Sequence, residues 1–71
     1  MQKFKSLDEI ADEYELNIER MKFAREALYD RLQCEPSRMR AMRLRATINS
    51  ITKAIWSSED AVRQMRDRHG R

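Results

Sequence analysis

Turn-forming residues are almost absent from this chain, whose 71 residues include one Gly and one Pro. Strands that reverse direction draw on Gly, Pro or Asn-Gly chemistry at the reversals, so this scarcity argues against a β architecture. The single Cys, Cys34, has no internal partner for a disulfide; it reads as an inert loop thiol in a reducing, cytoplasmic setting. The single His, His69, stands thirty-five residues from that Cys and offers no metal-ligand set. Long apolar runs are missing too. The opening Met-Gln-Lys-Phe-Lys-Ser leads into charged sequence, so neither a signal peptide nor a membrane span is expected.

The same scarcity removes most catalytic chemistry. A chain with one Gly has no Gly-rich phosphate loop. Ser50, Ser57 and Ser58 have no His in reach, and Glu9, Asp12 and Glu13 belong to the charged start of a helix. No catalytic residue, cofactor, metal or small-molecule substrate is expected, and the protein reads as a non-enzyme.

What the chain has in abundance is helical periodicity. Ala41, Leu44, Ile48, Ile51, Ile55, Ser58, Val62 and Met65 recur at alternating steps of three and four, with His69 next in line. That is a heptad seam, and a seam of this kind must be covered by another helix. A first helix precedes it: Ser6 reads as an N-cap with an acid at the third helical position, Glu9. Leu7, Ile10, Ala11, Tyr14, Ile18, Met21, Leu28 and Leu32 then share one face.

The pattern breaks around Gln33 to Ser37, where Pro36 suits only a first helical turn and holds Glu35 out of helical conformation. The expectation is an all-α fold: a two-helix antiparallel hairpin with helices over about residues 6–33 and 36–68 and a turn over about 34–37. Gly70 is the expected stop. One long helix kinked at Pro36 is the alternative. A turn centred near residue 35 brings Ser58 close to Ala11 and Asp12, and sets the acidic run Asp8 to Glu19 against the middle of the second helix.

Charge is divided between the arms. Residues 1–35 carry six Lys or Arg against nine Asp or Glu, net −3, and residues 36–71 carry nine against three, net +6. Folding gathers Arg38, Arg40, Arg43 and Arg45 at the tip beside Arg25 and Arg31.

Two further apolar lines lie away from the seam: Leu16, Phe23 and Ala27 on the first helix, and Met42, Asn49 and Trp56 on the second. A two-helix core is small for stability, so these lines read as interfaces that complete a four-helix bundle by homodimerisation, or that seat a larger protein. The expected interface residues are Leu16, Phe23, Met42, Asn49 and Trp56. Arg38, Arg40, Arg43, Arg45 and Arg63 are the expected contacts to phosphates or to an acidic partner. The leading reading is a non-catalytic, self-associating interaction or regulatory module. The alternative is a small nucleic-acid-binding protein using the Arg-rich tip.

Overall fold

The computed structural model describes residues 6–69. The Phe4 anchor, the His69 side chain and the Gly70 stop lie outside the described residues. Two helices, α1 (Leu7–Cys34) and α2 (Arg38–His69), pack against one another as an antiparallel hairpin, and the described residues contain no strand.

Each boundary has a local cause. Ser6 is extended, at φ −69° and ψ 163°, and its Oγ accepts the Glu9 N–H at 3.1 Å, so α1 starts where the capping signal places it. The helix runs through Cys34 and closes with the Glu35 N–H on the Leu32 carbonyl at 3.3 Å. Cys34 is therefore a helical residue, exposed, rather than part of the turn.

Glu35 is extended at φ −85° and ψ 112°, as a residue before proline should be. Pro36 does not open α2. Ser37 does: its carbonyl accepts the Ala41 N–H at 2.9 Å, and its Oγ accepts the Arg40 N–H at 3.4 Å. The Glu35 carboxylate fixes this cap by accepting the Ser37 N–H at 3.1 Å. A hydroxyl cap outcompetes a proline start here, and the break rules out a single kinked helix.

The seam of α2 is the core. Ile48, Ile55 and Val62 are buried, while Ala41, Leu44, Ile51, Ser58 and Met65 are half-buried between them. Ala11 and Ile18 are the buried residues of α1. Ala11, Ile18, Ile55 and Val62 form one cluster, with Met21, Ile51 and Met65 packed against it. That cluster lies in the half of the hairpin away from the turn.

The register differs from the expected one. Arg66 meets Asp12 and Lys22 meets Glu59, so Ser58 lies level with the turn Ile18–Lys22 rather than with Ala11 and Asp12. Three non-helical residues, 35–37, can carry the chain up to about 10 Å before α2 begins, at about 3.3 Å each. The first turn of α2 thus overhangs the end of α1, and every later residue pairs closer to the turn. The acidic run Asp8 to Glu19 consequently faces the last third of α2 instead of its middle.

Candidate interaction surfaces

Two helices sharing one seam leave two flanks, and a residue's place in the seven-residue repeat decides which flank it takes. Thr52, Glu59 and Arg66 form one such line beside the α2 seam, and all three reach across to α1. Arg66 donates to three carboxylates: Glu15 Oε1 from Nε at 3.0 Å and Nη2 at 2.8 Å, Asp12 Oδ1 from Nη2 at 2.9 Å, and Asp8 Oδ1 from Nη1 at 3.4 Å. Lys22 Nζ lies 3.5 Å from Glu59 Oε2, and Arg25 Nη1 donates to Thr52 Oγ1 at 3.2 Å.

The hydrogen bonds to Asp12, then Glu15, raise the Arg66 pKa above its ordinary value, with desolvation opposing them. A cation whose folded pKa is raised stabilises the fold at all lower pH and loses that contribution only as pH climbs through the raised value. The clamp's guanidinium therefore stays charged throughout the neutral range.

The opposite flank is of another kind. Arg31, Arg40 and Arg43 bound a cavity of about 300 Å³ at the tip, together with Glu35, Leu44 and Thr47. Arg20 and Arg68 follow on the same flank at helical spacing. None of these five arginines makes an ion pair or side-chain hydrogen bond among the described residues. Ala24, Ala27, Ala54 and Ser57 lie between them, all exposed.

The two apolar lines stay uncovered. Phe23 is 79% exposed and Trp56 64%, and Leu16, Met42 and Asn49 are exposed beside them. The repeat places Phe23 directly opposite the α1 seam and Trp56 about 130° from the α2 seam, so they occupy separate outer edges of the hairpin.

The five arginines expected to act together are dispersed. Arg40 and Arg43 take one flank, Arg38 and Arg45 the other. Arg63 stands 18 residues past Arg45, about 27 Å along the helix, and lies 3.7 Å from Asp60. Arg25 is also away from the tip, two and a half turns back along α1.

Two polar residues of the interhelical contact, Arg66 and Lys22, were not singled out by sequence reasoning, and Arg25 was assigned to the tip rather than to this contact. Arg25 falls at the seam step between Met21 and Leu28, where a charge is out of place, and that spacing was a readable signal. Arg66 and Lys22 border the seam, but their partners follow only from the register.

Among the described residues no group of three or more His, Cys, Asp or Glu side chains is placed to hold a metal ion, and no helix is long and apolar enough to cross a membrane. No protein-family model, curated protein or solved structure matches the chain.

Proposed function

We propose that the protein is a small non-catalytic interaction module that pairs with a second copy of itself through the outer edge of α2. The observation that carries this reading is the exposure of Trp56 and Met42 in seven-residue register on a molecule with too little interior. Its accessible surface is 6202 Å², against about 4,700 Å² expected of a compact protein of 8.6 kDa. Helical pairs normally recover such surface by adding helices.

Met42, Asn49 and Trp56 are symmetric about Asn49. Two copies of α2 packed antiparallel around a two-fold axis there set Met42 of each against Trp56 of the other, and bring Arg38 near Glu59 of the second copy. Such an isologous contact closes on itself and yields a dimer of hairpins, four helices in all. Phe23 and Leu16, on the far edge of α1, stay free for a larger protein partner.

Sedimentation equilibrium at tens of micromolar tests the reading. The wild-type chain is expected to be dimeric, the Trp56→Glu variant monomeric and the Phe23→Glu variant dimeric, since a large aromatic at an interface centre carries much of its energy. A monomeric wild type overturns self-association.

A further inference from the structure

Net positive charge is concentrated on the flank opposite the Arg66 clamp, because most carboxylates lie on the clamp side. It carries Arg20, Arg31, Arg40, Arg43 and Arg68 against two carboxylates, Glu13 at the far end and Glu35, which already accepts the Ser37 N–H. The acidic residues of α1 lie mainly on the clamp flank, where Asp8, Asp12 and Glu15 are held by Arg66. The tip adds a second feature. Arg31 from α1 and Arg40 and Arg43 from α2 converge on one cavity at the start of α2, whose first turn contains no acid and whose dipole is positive there.

We propose that this flank binds the phosphate backbone of a nucleic acid, with Arg31, Arg40 and Arg43 as the principal phosphate contacts. All the cations involved are arginines, whose planar forks match phosphate oxygens in pairs. Arg43 and Arg68 lie 25 residues apart, about 37 Å along α2, a length suited to a strand and not to a lone phosphate. Between them the exposed side chains include Ala24, Ala27, Ala54 and Ser57, which let a backbone approach closely and set no negative charge in its way. An acidic protein fits less well, because protein interfaces are anchored by large apolar side chains, and the exposed side chains at the middle of this stretch are small, with Leu7 beside Arg68 only at its far end. The proposal does not rest on self-association, which uses another edge of the molecule.

The test is fluorescence anisotropy of a short labelled DNA duplex titrated with the full chain across a range of salt. Wild-type protein should bind at about 50 mM salt, and a triple Arg31→Ala, Arg40→Ala, Arg43→Ala variant should lower the slope of log K against log salt by about 2 to 3, near 0.9 per lost phosphate contact. A double Arg38→Ala, Arg45→Ala variant, on the clamp flank, should leave the slope within one contact's worth of wild type. All the substituted side chains are exposed, and circular dichroism verifies that the helices persist. Absence of binding at low salt overturns the proposal. Equal losses per substituted arginine in the two variants overturn it as well, because they indicate net charge alone, and so does polyglutamate displacing the duplex at matched charge.

Discussion

Arg25 is the residue least at ease in its place. It occupies a seam position on α1, donates one hydrogen bond to Thr52, and has its Nε buried with no partner among the described residues. A desolvated donor left unmade costs about 1–3 kcal/mol. Met fills a similar volume without that cost, and Thr52 can turn its hydroxyl back onto its own helix, as Thr47 does to Arg43. Arg25→Met should therefore raise unfolding stability by on the order of 1 kcal/mol in urea titration, because the half-buried site loses a stranded donor and keeps its apolar contacts. A loss of stability would show that the Thr52 contact outweighs the stranded nitrogen. Ser58 is the milder counterpart, a small half-buried polar residue at a seam position of α2.

Within each helix, the seam sorts residues by depth. Ile55 is 1% exposed and sits in the buried cluster, whereas Ile51 packs against it from the half-buried row. Ile55→Ala should cost about 2–5 kcal/mol, the usual range for a buried Ile truncation, and Ile51→Ala roughly half as much. Denaturant midpoints of the two variants measure the difference; near-equal costs would contradict the burial order. Most of this level was legible in the sequence. Alternating steps of three and four placed every seam residue of α2, and Ser6 placed the start of α1, because both signals depend only on near neighbours. The start of α2 was misplaced by two residues, because the choice between Pro36 and Ser37 depends on the Glu35 side chain reaching forward. The interhelical register was off for a related reason: it is set by how far three extended residues travel, which periodicity does not encode. The clamp on Arg66 was invisible for the same cause. The exposed lines around Phe23 and Trp56 were legible as lines, but what covers them is not written in either helix alone.

The whole molecule is a slender object of 52 × 26 × 15 Å whose surfaces differ by flank rather than by end. Seam polarity and ion pairing explain where its stiffness lies. Ala11, Ile18, Ile55 and Val62 are buried in the half that holds the chain ends, and the Arg66 clamp closes that same half. Toward the turn, the polar Arg25 interrupts the seam, and in the first turn of α2 Arg38, Met39 and Arg40 are exposed and Ala41 is only half-buried. Hairpins ordinarily fray at their free ends, since the connection keeps the other end together. Here the reverse order is expected. Amide hydrogens exchange through local openings whose cost follows buried apolar contact, so protection should be greatest at Ile18–Met21 and Ile51–Val62 and least, among helical residues, at Arg38–Met42 beside the turn. Native-state hydrogen exchange read residue by residue decides this, and uniform protection along α2 would contradict it. The connected end would then be the one that breathes, opening and closing the mouth of the Arg31–Arg40–Arg43 cavity while Arg66 stays clasped to the first turns of α1.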